Sequence, residues 1–87
     1  MTQSAFSRQY GRFRTALVDA RKNAGLTQAE LAKKLQRPQS LVSKYERGGR
    51  RLDVVEFLDV ARALKLDPAA VLSDLEGPPS RKRKEQL

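Results

Sequence analysis

The chain has 87 residues and contains no cysteine, histidine or tryptophan. That length allows one domain, and the missing residue types exclude disulfides, thiolate or imidazole metal sites and histidine-based catalysis. Lys and Arg number 18 against 10 Asp and Glu, a net charge of +8; such a balance points to a polyanionic partner, nucleic acid first.

The charge is unevenly spread. Residues 1–51 hold 12 basic and 3 acidic side chains, residues 52–76 hold 2 and 6, and residues 77–87 hold 4 and 1. Phosphates are therefore expected to meet the first of these segments. No apolar run approaches the roughly 20 residues of a membrane span, and the opening residues carry no signal-peptide pattern. We expect a cytoplasmic, nucleoid-associated chain with no membrane partner.

Caps and apolar spacing predict five helices. The first runs from Arg8 to Ala24, with Phe6, Tyr10, Phe13, Leu17, Ala20 and Ala24 on one stripe, and Gly25 as its stop. The second starts at Thr27, where Thr27 and Glu30 have capping-box spacing. Its apolar face is Ala29, Ala32 and Leu35, with Leu31 alongside. The third begins near Pro38, carries Leu41, Val42 and Tyr45, and stops at Gly48-Gly49. The fourth has a second capping box, Asp53 with Glu56, and a stripe of Val54, Phe57, Leu58, Ala61 and Leu64. The fifth is capped by Asp67, opens on Pro68, presents Val71, Leu72 and Leu75, and ends at Gly77-Pro78-Pro79. The expected fold is all-α, a five-helix bundle over residues 1–76. Residues 77–87 are expected to form a flexible, disordered basic tail.

The segment that carries function is 27–47, TQAELAKKLQRPQSLVSKYER. It reads as two short helices joined by a four-residue turn around Gln36-Arg37. Ala32 is small enough for a close helix crossing, and Val42 faces inward. This is the helix-turn-helix layout, in which the second helix enters the DNA major groove and the first crosses the backbone.

The runs AGLTQAELAKKL, RPQSLVSKYERG and LDVVEFLDVARALKLDP resemble the Xre/Cro family of phage and bacterial repressors, whose domain is of the lambda-repressor-like type. The resemblance covers roughly residues 12–75. Gln36 departs from the pattern, because the family most often has Gly at this turn position. A left-handed backbone there costs Gln roughly 1 kcal/mol relative to Gly.

The resemblance implies roles for named residues. Gln28, opening the second helix, corresponds to a phosphate-gripping position, suited to a helix N-terminus because its amides attract anions. Gln39, Ser40, Ser43 and Lys44 correspond to base-reading positions. Gln bonds adenine in two places, Lys reaches guanine O6 or N7, and Ser serves either. Arg47, Arg50 and Arg51 are expected on phosphates, fixing register without reading sequence. Arg21 and Glu46 match positions of a buried ion pair. Family likeness also points to a homodimer through Val71, Leu72 and Leu75, which otherwise only cap the core.

Blander readings stand beside these. The named polar residues suit an ordinary wet surface, Lys33 and Lys34 a solvated face, Arg21 and Glu46 a loose surface pair. The tail Arg81-Lys82-Arg83-Lys84 is either a solvated run or a sequence-independent clamp on DNA.

The expected function is a sequence-specific regulator binding double-stranded DNA, a homodimeric repressor reading a palindromic operator through its third helix. The alternatives are a DNA-binding antitoxin or adaptor, or a restriction-system controller, acting with a protein partner. A third is non-specific nucleic-acid coating by charge alone. No cofactor, metal or catalytic residue is expected. Ser40 and Ser43 have no histidine base, and the chain has no glycine-rich phosphate loop.

Overall fold

Helix boundaries follow from how each end satisfies its backbone. The computed structural model describes residues 2–76, with side chains from Arg8 onward. The predicted tail at 77–87 lies outside the described residues. The described residues form five helices and no strand: α1 (Thr2–Asn23), α2 (Gln28–Leu35), α3 (Gln39–Glu46), α4 (Val54–Leu64) and α5 (Pro68–Glu76).

Two predicted starts are met by full capping boxes. The Thr27 hydroxyl accepts from the Glu30 N–H at 3.0 Å, and the Glu30 carboxylate accepts from the Thr27 N–H at 2.8 Å. Asp53 and Glu56 do the same for α4, at 2.8 and 3.0 Å. The Asp67 carboxylate accepts from the Ala69 N–H at 3.0 Å. Pro38 is the N-cap of α3, extended at φ −63° and ψ 148°, rather than its first helical residue. Three residues, 36–38, separate α2 from α3, one fewer than expected. The first helix starts at Thr2 instead of Arg8; residues 2–7 contain no glycine or proline to stop the helix there.

Four helices close with one bond pattern. After α1, Gly25 N–H reaches Lys22 O and Leu26 N–H reaches Arg21 O. The same pair of bonds, one residue nested inside the other, recurs at Gln36, Gly48 and Lys65. The residue at each corner has positive φ: Gly25 at 76°, Gln36 at 60°, Gly48 at 85° and Lys65 at 59°. Gln36 thus adopts the left-handed turn that the family pattern required. Lys65 does so with no warning from its residue type.

The core is built around one small crossing. Ala32 on α2 is 3% exposed, and Leu31, Val42 and Tyr45 are fully buried beside it. A β-carbon-sized residue lets α2 and α3 approach closely enough for Val42 to be enclosed. From α1 come Phe13 and Leu17, and from α4 Phe57, Val60, Ala61 and Leu64. Phe13 meets Phe57 edge-on, with ring centroids 5.1 Å apart, which ties α1 to α4.

Helix α5 is different, since none of its residues is fully buried. Val71 and Leu75 pack against the core from its margin, while Leu72 stays 49% exposed. Two α1 side chains hold its far end. Gln9 donates to Leu75 O at 3.1 Å, and Arg12 to Asp74 O at 3.0 Å. These satisfy carbonyls that the last turn of a helix leaves open.

Candidate nucleic-acid interface

Helix α3 divides cleanly between inside and outside. Val42, Tyr45 and Glu46 are buried. Gln39, Ser40 and Lys44 are exposed and Ser43 is half-buried. The spacing of one, three and four residues puts these four polar side chains on one outward face. Arg47 continues that face and donates to the Ser43 hydroxyl at 3.1 Å.

Behind the exposed face lies a buried carboxylate that gathers three elements. Arg21 of α1 grips Glu46 through two parallel bonds, Nε to Oε2 at 2.7 Å and Nη2 to Oε1 at 3.0 Å. Its third nitrogen donates to Leu26 O at 2.7 Å. Both residues are buried, so this is no loose surface pair. The hydrogen bond to Glu46 raises the Arg21 pKa, against the opposing effect of burial. Gln28 of α2 joins through Nε2 to Glu46 Oε1 at 2.9 Å. The side chain expected on a phosphate is thus held, in the free protein, by the buried pair. One more arginine closes the helix from outside: Arg14 Nη1 donates to Glu46 O at 2.8 Å. Its guanidinium lies about where a Gly48 side chain would point, 3.7 Å from that position.

The loop after α3 holds the other two predicted phosphate residues. Arg51 stacks on the Tyr10 ring, 4.4 Å from its centroid. The Tyr10 hydroxyl in turn accepts from the Leu52 N–H at 3.1 Å. Arg50 is forked onto Glu56, Nη1 to Oε1 at 3.0 Å and Nη2 to Oε2 at 2.9 Å. The Arg50 hydrogen bonds lower the Glu56 pKa to about 2, with the Asp53 N–H as the next cause. The folded value lies below the ordinary one of 4.5, so this stabilisation is complete above that pH and is lost as pH falls toward 2.

Sequence reasoning missed Tyr10, Arg14 and Glu56 as parts of this surface. A signal existed for Arg14. Tyr10, Arg14, Leu17 and Arg21 are spaced four, three and four apart, so two arginines border the buried stripe of α1. A charge bordering an apolar stripe needs a partner.

Tyr45 is the exception to good pairing. It is fully buried, and among the described residues no protein group bonds its hydroxyl. Burial pushes the phenol well above its usual range. An unsatisfied buried hydroxyl costs about 1–3 kcal/mol. Tyr45→Phe is therefore expected to raise stability by about 1 kcal/mol in a urea melt. A loss instead would mean that the hydroxyl has a partner in solution.

Among the described residues no helix is long and apolar enough to cross a membrane. The bundle, its short crossing and the exposed second helix flanked by arginines define a helix-turn-helix protein. The family described as Helix-turn-helix matches residues 17–71. An XRE-family like protein from Pseudomonas syringae pv. tomato str. DC3000 is 48% identical, with a TM-score of 0.84, covering 88% of this chain and 96% of that one. The chain belongs to the XRE family of helix-turn-helix proteins, DNA-binding transcription regulators rather than enzymes. The clp gene regulator ClgR from C. glutamicum is 28% identical, with a TM-score of 0.70, covering 79% of this chain and 88% of its own. The wild-type restriction-modification controller protein C.Esp1396I is 20% identical, with a TM-score of 0.71, covering 78% and 90%. At that identity the likeness concerns the fold alone. No curated protein matches the chain.

Proposed function

We propose that this regulator is a homodimeric repressor that reads a palindromic operator in double-stranded DNA through α3. The observation that carries the reading is the division of α3: a buried face fixed by Val42, Tyr45 and the Arg21–Glu46 pair, and an outward face of Gln39, Ser40, Ser43 and Lys44. A helix anchored on one side and polar on the other suits the major groove, where those side chain types discriminate bases. Arg47, Arg51 and the N-terminus of α2 with Gln28 flank it as phosphate contacts. Arg50 joins them by exchanging its carboxylate for a phosphate. Repression would follow from occupancy alone, the operator-bound dimer excluding polymerase.

The dimer reading is supported by exposed apolar residues on the side of the acidic segment. Leu72 of α5 is exposed, as are Val54, Val55 and Leu58 of α4. An open apolar groove of about 200 Å³, lined by Val54, Phe57, Leu72 and Leu75 among others, joins the two helices. Leu75 packs against the core and lines this groove as well, while Val71 packs against the core. Residues 1–76 would then be the DNA-binding unit, with the basic segment 77–87 following it in sequence.

Selection from random duplexes at about 150 mM salt tests the reading. The expected product is an inverted repeat whose half-site centres lie about 34 Å apart, one helical turn. Lys44→Ala is expected to relax one position in each half-site and to weaken operator binding by about 1–3 kcal/mol. Equal recovery of all sequences would overturn the operator reading.

A further inference from the structure

We infer that Glu56 is a specificity-determining residue, an internal stand-in for a DNA phosphate that occupies Arg50 on non-specific duplex. The inference rests on the DNA-binding reading above and adds a restraint to it. The two Arg50 nitrogens that reach Glu56, at 3.0 and 2.9 Å, form the same fork a guanidinium offers a phosphate. Carboxylate and phosphate therefore compete for the same donors. Glu56 is tied down while it competes: Oε1 also accepts the Asp53 N–H at 3.0 Å, the return arm of the α4 capping box. It cannot follow the arginine outward without uncapping its helix. Arg50 is fixed further by a bond from Nη1 to Arg51 O at 3.1 Å.

Position makes the restraint relevant to DNA. Arg50 follows α3 in sequence, and Arg37 precedes it. Arg37 Nη1 lies 3.9 Å from Glu56 Oε2, so a single carboxylate faces arginines from both ends of the helix. The Glu56 side chain is 14% exposed, whereas Arg50 is 41% and Arg37 44% exposed. The anion is covered and the cations lie at the surface. Non-specific affinity comes from cations releasing counterions at phosphates. An arginine already neutralised by a carboxylate adds little of that release, and moving it leaves Glu56 beside the duplex with only the Asp53 N–H and the more distant Arg37 as partners. Holding Arg50 back lowers affinity for arbitrary DNA. An operator that seats α3 closely would supply a phosphate placed well enough to win the exchange.

The test measures the full chain on a mixed-sequence duplex across a salt series. Glu56→Gln preserves the cap, since glutamine serves the return arm as well, and a thermal melt checks that it does. The plot of log affinity against log salt is expected to steepen by about one, with binding about 5–10-fold tighter near 100 mM salt. Glu56→Gln with Arg50→Ala is expected to return to the parent slope. Asp74→Asn adds the same charge at a carboxylate that no arginine grips among the described residues, Arg12 bonding only its backbone carbonyl, and is expected to leave the slope unchanged. An unaltered slope in Glu56→Gln overturns the inference, as does a double variant as steep as the single one. Equal steepening by Asp74→Asn does so too, because net charge alone would then explain the effect. If the parent chain fails to bind any duplex, the DNA reading falls with it; if it binds and Glu56→Gln changes nothing, only this inference falls.

Discussion

Replacing Glu46 with alanine is expected to remove about 3–5 kcal/mol of folding stability, the usual cost of orphaning one partner of a buried pair. Arg21 would keep its bond to Leu26 O but lose both bonds to the carboxylate, while remaining buried. Gln28 would lose its anchor as well. Against a total of roughly 4–13 kcal/mol for a chain of 87 residues, that is a large share. Arg21→Met combined with Glu46→Leu is expected to recover most of it, since apolar groups of similar volume often replace a buried pair at no cost. The double variant should nonetheless bind DNA poorly, because Gln28 has nothing to hold it. Urea denaturation with an unchanged m-value checks both stabilities, and a duplex titration of the double variant checks its DNA binding. A single-variant loss below about 1 kcal/mol would mean that the pair is solvated after all.

Leu17→Ala is expected to cost about 2–5 kcal/mol. Leu17 has no exposed surface and belongs to the core cluster that joins α1, α2, α3 and α4. Tightly packed interiors collapse only partly around a truncated residue, and the cost grows with the cavity that remains. Small domains have little reserve against such a loss. Circular dichroism in a urea series gives the figure directly. A cost under about 1 kcal/mol would show that the helices close the space by shifting.

What was legible in the sequence was local. Both capping boxes, the Gly25 stop and the Asp67 cap rest on bonds within a few residues, at fixed spacings. The chain announces these by residue type. The bonds that shape the interface run across the fold instead. Gln28 reaches Glu46 over 18 positions, Arg14 reaches Glu46 over 32 and Tyr10 reaches Leu52 over 42. No spacing rule covers such distances. The Arg21–Glu46 pair was foreseen only by family likeness. Glu56 shows the difference most plainly. Its role as the return arm of a cap was readable from Asp53, but its grip on Arg50 was not, although only six positions separate them. A six-residue gap spans a loop here, and loop geometry has no period. Lys65 failed to announce its left-handed backbone for a related reason. The bonds of the closing turn, Lys65 N–H to Arg62 O and Leu66 N–H to Ala61 O, impose it, whatever residue sits there.

Helix α5 gives the molecule two tiers of cooperativity. The inner tier, α1 through α4, shares one set of fully buried side chains and should open only when the whole domain unfolds. The outer tier is held by the margins of Val71 and Leu75 and by two donors from α1. Its local opening exposes little apolar surface, so it needs less free energy than global unfolding. A second copy covering Leu72 would bind only the closed form and draw the outer tier into the inner one by mass action. The order of the last helix would then follow the concentration of the protein itself.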